Sequence, residues 1–471
     1  MGTPARQPGA TFPATMRPIA LWAIVSGVAL AVCVGFLVGS GQLLPAAGAA
    51  SILVAAFIAY RWPVLAAMAV LLISGGYRIF AVTPGWNASG TTIGGGVRLE
   101  DVFMVGMLVA ALIRVATPPG RRRLGKLAAP TLLLGAWLAL ETLRNVGSVG
   151  LSAPGELRSF YLLLSVAFCL VVSLDREARA RSAIKGFVLI TVALPLVLLP
   201  VVLALKGWSF GPSARVFPSD VSLGLLLGLA VLWQGRDLVR WPRWAVYSAT
   251  ALGAVEILLD AHRSVWLSAV VLLGLLLLRQ TFVAKVRWAF LGLLLAVAVI
   301  GVAQGVGIDA VGVVVERGGA VVTEQDTTGV RLSLWKAATP LIVSSPIIGR
   351  GLGMHWDLYL PEFGYTVHDF PHSLYVMVLV DLGAVGLLLC VWLWVRAWRT
   401  CTSVLRSAKP SPEPGARRFA YASLGLVALS AIAAYGVAYG FEFYSVTLSG
   451  ICLAGARLAP LRQPLGEWRD D

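Results

Sequence analysis

The chain is a succession of apolar runs of about twenty residues, long enough to cross a bilayer, each closed by a short polar or basic connection. The pattern predicts helices over 19–40, 43–60, 62–80, 98–116, 127–143, 157–174, 183–205, 219–235, 243–260, 264–279, 284–306, 372–398, 417–438 and 444–459. That makes about 14 spans (12–14, according to how the third, with Gly75-Gly76, and the eighth are counted). Few amphipathic stretches are visible, which argues against one large soluble core. Run 19–40, followed by Ala47-Gly48-Ala49, imitates a signal peptide, but its length and the spans that follow predict an uncleaved first helix. Residues 1–18 read as a disordered cytoplasmic tail, 19–306 as helices 1–11, 307–371 as a large extracytoplasmic loop, 372–459 as helices 12–14 and 460–471 as a second cytoplasmic tail. The expected fold class is an all-α polytopic membrane protein.

Composition strengthens this class. Apolar residues make up 58% and charged residues 13%, far from the balance of soluble domains. The net charge of +15 does not point to nucleic acid, because most Lys and Arg lie in connections that fall on one side. These are Arg61, Arg121 to Lys126, Arg176 to Lys185, Arg236 to Arg243, Arg279 to Arg287 and Arg396 to Arg418, and they place that side in the cytoplasm. The location expected is the inner (plasma) membrane, in multi-pass form. Cys33, Cys169, Cys390 and Cys452 sit in apolar runs and Cys401 in a basic connection, without metal-ligand spacing or a disulfide framework.

Cations remain on the opposite side, among them Arg144, Arg215, Arg263, Arg331 and Arg350. Two readings stay open for them: pairing with acids such as Glu156, Asp260 and Asp369, or a positive cavity for a phosphate-bearing lipid. His372 is one of only four histidines and stands where the loop 307–371 meets a span. Following Pro371, it is expected in the first turn of that span, where the helix dipole disfavours protonation. A neutral imidazole is what a general base requires. Asp369 is the candidate to orient it.

His372-Ser373, nine residues, then Gly383-Ala384-Val385-Gly386 reads H-[NSQ]-x9-G-x-x-G. This resembles the signature of the O-antigen ligase and polymerase family of lipid-linked-glycan transferases. Arg331 to Ala338 is similar to that family's R-x3-W-x-A-A, and Ser345-Pro346 to Gly353 to its N-P-x-x-G-x-G-x-G, with Ser345 in place of Asn. Arg263-Ser264-Val265-Trp266-Leu267 is similar to its S-R-[ST]-x-W-L, with His262 in place of Ser, and Arg215 before Phe217-Pro218 is a looser match. The glycines read as close helix packing in one case and as a phosphate cradle in the other. The resemblance implies a GT-C-like fold and a metal-independent glycosyltransferase without cofactor. It would move a glycan from undecaprenyl diphosphate to the hydroxyl of a glycan or lipid acceptor on the extracytoplasmic face. His372 would be the base, Arg263 and Arg215 would stabilise the leaving diphosphate, and Arg331, Arg350 and Asp369 would bind substrate. The alternative is a multi-span transporter or lipid-linked glycan flippase, for which charges such as Glu256 and Asp381 near apolar runs would count.

Overall fold

The computed structural model of the protein describes residues 43–81, 92–94, 97–150, 157, 161–206, 217–260, 263–278, 327–354, 356–362, 364–368, 371–407 and 414–458. The predicted spans 19–40 and 284–306 and both expected tails lie outside these residues. The first helices are α1 (Leu43–Arg61), α2 (Pro63–Ala81), α3 (Leu99–Ala116), α4 (Pro118–Leu124), α5 (Ala128–Val149), α6 (Leu164–Ser173), α7 (Glu177–Val188) and α8 (Leu194–Lys206). They are followed by α9 (Ser219–Gln234), α10 (Arg236–Val239), α11 (Arg243–Asp260), α12 (Arg263–Leu278), α13 (Thr327–Ser344), α14 (Leu374–Ser407), α15 (Pro414–Tyr435) and α16 (Phe443–Leu458). Two antiparallel hairpins interrupt the series, β1 (Thr92–Gly94) with β2 (Val97–Arg98) and β3 (Asp357–Leu360) with β4 (Tyr365–His368).

The protein is helical and polytopic, but the span count must be corrected. Among the described residues, four helical segments are long and apolar enough to cross a membrane: Pro118–Val149, Glu177–Ala204, Leu374–Ser407 and Gly415–Tyr435. The expected layout of about fourteen spans, GT-C-like, does not stand. Helices do form at the other predicted positions that are described, yet apolar letters ran on through turns that end them. Residues 157–174, read as one span, give a helix of only 10 residues after a turn at 161–163, which is about 15 Å against a hydrocarbon core of about 30 Å. Ser219–Gln234 and Phe443–Leu458 are likewise short, and α3 carries Glu100, Asp101 and Arg114. Where crossing length is reached, the helix has run past the apolar letters. Glu177–Ala204 begins in a basic stretch and accommodates its interior with a π turn at Leu189–Ala193 just before Pro195, whose missing N–H leaves a helical carbonyl to be relieved.

The main core gathers α1–α3, α6, α7, α9, α15 and α16 around Met104, Met107, Phe187, Leu223, Tyr421 and Ile451. Close crossings use small residues: a Cβ on Gly106 would lie 2.7 Å from the backbone of Ala55, and one on Gly450 2.6 Å from that of Ala167. Two smaller clusters flank the start of α14. Tyr161, Leu352, Leu374, Met377 and Leu382 pack on one side with Trp137 of α5. Leu334 and Ala338 of α13, Trp356, Leu358 and Leu360 pack on the other with Val380. From residue 327 on, the described part of the predicted loop 307–371 is folded. Its β3–β4 hairpin buries Leu358 and Leu360, exposes Asp357 and Tyr359, and returns the chain to Pro371.

Candidate active site

The site is built around a break in α14. Gly383 has φ 65° and ψ −166°, a conformation open essentially only to glycine, and it interrupts the helix nine residues after its start. A continuous helix would bond the N–H of residues 384 and 385 to the carbonyls of 380 and 381. Instead Ala384 and Val385 donate to the carbonyls of Pro346 and Ile347 at 2.9 and 3.1 Å. The carbonyls of Val380 and Asp381 accept from the N–H of Arg350 and Gly351 at 2.7 and 2.8 Å. The Ser345–Gly351 loop thus satisfies these four of the backbone groups that the break sets free. The fit requires backbone against backbone: a Cβ on Gly383 would lie 2.4 Å from the nitrogen of Gly349, and one on Gly349 2.5 Å from the Asp381 carbonyl. Ser345, the departure from the expected Asn, closes the loop with a hydroxyl bond of 2.7 Å to the Gly349 carbonyl.

This corrects the roles expected of both glycine motifs. The N–H groups of Gly349, Arg350 and Gly351 are committed to the carbonyls of Ser345, Val380 and Asp381, so these three amides do not cradle a phosphate. Gly383 does not serve helix packing but holds the break; Gly386 lets Leu382 approach, since a Cβ there would lie 2.2 Å from the Leu382 Cβ.

From the far side α5 clamps the same loop. Asn145 donates to the carbonyls of Arg350 and Leu352 at 3.3 and 3.0 Å, and Arg144, paired with Glu141 at 2.8 Å, donates to that of Gly349 at 3.1 Å. Trp137 reaches the Leu382 carbonyl at 3.3 Å. Sequence reasoning missed these three as a group. The signal was present in Asn145, an amide at the end of an apolar run and buried in the structure.

His372 stands two residues before α14, not in its first turn, and has φ 50°. The first amide of the helix, that of Leu374, is taken by the carbonyls of Gly436 and Tyr439 at 2.8 Å each. The helix-terminus explanation for a neutral imidazole therefore gives way to another. His372 is half-buried, and burial first, then the positive charge of Arg331, hold its imidazole below the ordinary histidine range. Arg331 and Trp335 lie four residues apart on α13 and so share a face. The Trp335 indole donates to the Pro371 carbonyl at 3.1 Å, fixing the turn that carries His372. The Arg331 guanidinium lies 5.6 Å from the Tyr439 ring centre, and Tyr439 stacks on Tyr435 at 4.8 Å. The Tyr435 hydroxyl is 2.8 Å from that of Ser219, at the start of α9.

The structure thus brings His372 and Arg331 together, and joins Arg350 to the break through its backbone. Arg263 is the first residue of α12, where Trp266 donates to the Ile257 carbonyl at 3.0 Å and ties α12 to α11; the Arg263 side chain, like Arg215 and Asp369, lies outside the described residues. Phe217, which follows Arg215, is fully buried against Val202 and Val221. A further acid, Glu442, was not picked out from sequence. It is buried, accepts from the N–H groups of Tyr444 and Ser445, and burial together with nearby Asp220 raises it to about 8. Among the described residues no three His, Cys, Asp or Glu side chains are placed to hold a metal ion.

A family model described as O-antigen ligase matches residues 248–391. The chain carries an O-antigen ligase domain over that part. The match covers less than a third of the 471 residues, and comparison with curated proteins gives no match. The ligase domain contains α12, α13, the glycine loop, the β3–β4 hairpin, His372 and the Gly383 break. The α5 clamp, Ser219, Tyr435 and Tyr439 come from outside it. With the apolar helices, the domain supports a membrane protein that handles glycans.

Proposed function

We propose that the chain is a glycosyltransferase that moves a glycan from undecaprenyl diphosphate to an acceptor hydroxyl on the extracytoplasmic face of the membrane. The observation that carries this reading is His372, an imidazole biased to its neutral form, beside Arg331, at the mouth of a membrane-length helix and inside the ligase domain. The acceptor oxygen attacks the anomeric carbon while its proton passes to His372. The carbon–oxygen bond to the diphosphate breaks, and the diphosphate leaves with the bonding electrons. A single displacement inverts the anomeric centre, with no cofactor required. Arg263 and Arg215 are assigned to the leaving charge, since a guanidinium keeps its charge near lipid and presents two parallel donors. Arg331, Arg350 and Asp369 are assigned to substrate. Arg331 adds a coupling: in the empty site its charge opposes protonation of His372, and an arriving diphosphate offsets that charge and restores the basicity of the imidazole.

The placement of the basic segments supports the orientation. Arg396, Arg399 and Arg406 lie at the opposite end of α14 from His372, and Arg121–Arg123 precede α5 at the end away from its clamp. The test is glycan transfer in membranes supplied with lipid-linked donor and acceptor. His372→Ala should lose about 10²–10⁴-fold, the usual contribution of a positioned base. Full transfer by that variant at normal protein level would overturn the reading. Arg263→Lys should also lose most activity, because a point charge cannot replace a two-pronged contact.

A further inference from the structure

His372 is held from both sides, and each hold comes from a neighbour of Arg331. Before it, the Pro371 carbonyl accepts from the Trp335 indole at 3.1 Å, one helical turn along α13 from Arg331. After it, the Leu374 amide donates to the carbonyls of Gly436 and Tyr439 at 2.8 Å each. Between these two clasps His372 keeps φ 50°, in the left-handed region, where such a residue stays only if its surroundings fix it.

Tyr439 has a part in both halves of the pair. Its carbonyl takes the Leu374 amide, and the centre of its ring lies 5.6 Å from the guanidinium carbon of Arg331. An aromatic face attracts a guanidinium through its quadrupole and carries no net charge of its own. The difference matters here. A carboxylate paired with Arg331 would offset the charge that acts on His372, whereas a ring leaves that charge in force.

The ring has its own support. It stacks on Tyr435 with centres 4.8 Å and planes 17° apart, and the Tyr435 hydroxyl lies 2.8 Å from that of Ser219. The Tyr439 amide donates to the Tyr435 carbonyl at 3.0 Å, which carries the turn on from the end of α15. Tyr375 donates its hydroxyl to the Ala433 carbonyl at 2.8 Å and ties the start of α14 to that same end.

We propose that Tyr439 is a positioning residue that keeps the Arg331 guanidinium against His372, its ring fixing the cation and its carbonyl fixing the turn that carries the imidazole. The proposal rests on the glycosyltransferase reading and names what sets the geometry of its base. Other charges surround the set. Asp220 and Glu442 act on Tyr435, Lys336 follows on α13, and Glu362, after β3, accepts from Ser333 of α13. Glu442, raised to about 8, keeps its proton through the range in which His372 titrates, so its charge does not change there.

The test reads the His372 titration by NMR of the whole protein in detergent micelles with carbon-13-labelled imidazoles, the signal being assigned by its loss in His372→Gln. Tyr439→Leu removes the ring and frees Arg331. His372 should then titrate at higher pH, with about half or more of the rise that Arg331→Gln produces, and in the Arg331→Gln background the same change should add nothing. Tyr439→Phe keeps the aromatic face and should restore the wild-type titration. Tyr439→trifluorophenylalanine keeps the shape but withdraws the negative face, and should titrate as Tyr439→Leu does, even if the leucine variant fails to fold. The acid limb of kcat/KM should move with each titration. Identical titrations with phenylalanine and its fluorinated form would overturn the proposal. So would a shift by Tyr439→Leu that is equally large with and without Arg331, since the ring would then only keep water out. A wild type that transfers no glycan while the titrations behave as expected would overturn the glycosyltransferase reading and leave the positioning standing.

Discussion

Replacing Gly383 by alanine places a methyl group where the structure has none to give. Its Cβ would lie 2.4 Å from both the Gly349 nitrogen and the Ile347 carbonyl oxygen, which are backbone atoms that cannot rotate away. The conformation at φ 65° and ψ −166° adds about 1–3 kcal/mol of strain for any residue with a Cβ. To relieve the contact the loop must withdraw, and the bonds from Arg350, Gly351, Ala384 and Val385 are lost or lengthened, at about 0.5–1.5 kcal/mol each. Closing α14 into a regular helix recovers two of the four but strands the loop. The combined cost is about 3–5 kcal/mol, large for a single methyl. Thermal or denaturant unfolding in detergent micelles measures it, against Gly135→Ala as a control. Gly135 faces open space in a helix, so alanine there should be neutral or stabilising by up to about 1 kcal/mol. Glycan transfer should fall with Gly383→Ala, since the loop joins α14 to α13, whose Trp335 holds the Pro371 carbonyl beside His372. A Gly383→Ala protein as stable as the Gly135→Ala control would refute the view that the break is sealed by the loop.

Three more outcomes are expected. Activity needs neutral His372 and is lost as pH falls through its pKa; Arg331 lowers that pKa, so Arg331→Gln should move the acid limb of the kcat/KM profile to higher pH, and an unmoved limb would uncouple the two residues. Trp335→Phe keeps the ring and removes the bond to the Pro371 carbonyl, and should cost about 0.5–1.5 kcal/mol in stability, with a larger effect on kcat than on KM. Glu442, raised to about 8, keeps its proton in the folded state where the unfolded chain has released it, so stability should decline with rising pH between about 4.5 and 8. Glu442→Gln should flatten that decline, and an identical pH profile of unfolding would exclude the assignment.

The relation between sequence and structure differs from one element to the next. Helix positions were legible in the spans because apolar runs and their basic borders are local features, whereas the helix α13, which puts Arg331 and Trp335 on one face, lies in what reads as a loop. The crossing lengths were not: the turn at 161–163 is written in the same apolar letters as the helix after it. Backbone hydrogen bonding, not hydropathy, decides where such a helix starts. His372 could be named from its motif, but its position outside the helix depended on which carbonyls would claim the Leu374 amide, and those belong to Gly436 and Tyr439 at the end of α15 and just beyond it. The same holds for the glycines. Local patterns alone yield a helical membrane protein with a histidine at the mouth of an apolar helix and glycines at fixed distances behind it. That these glycines hold a broken helix shut follows from packing, because each leaves out a Cβ for a backbone that is remote in the chain: Gly349 for Asp381, and Gly383 for Gly349.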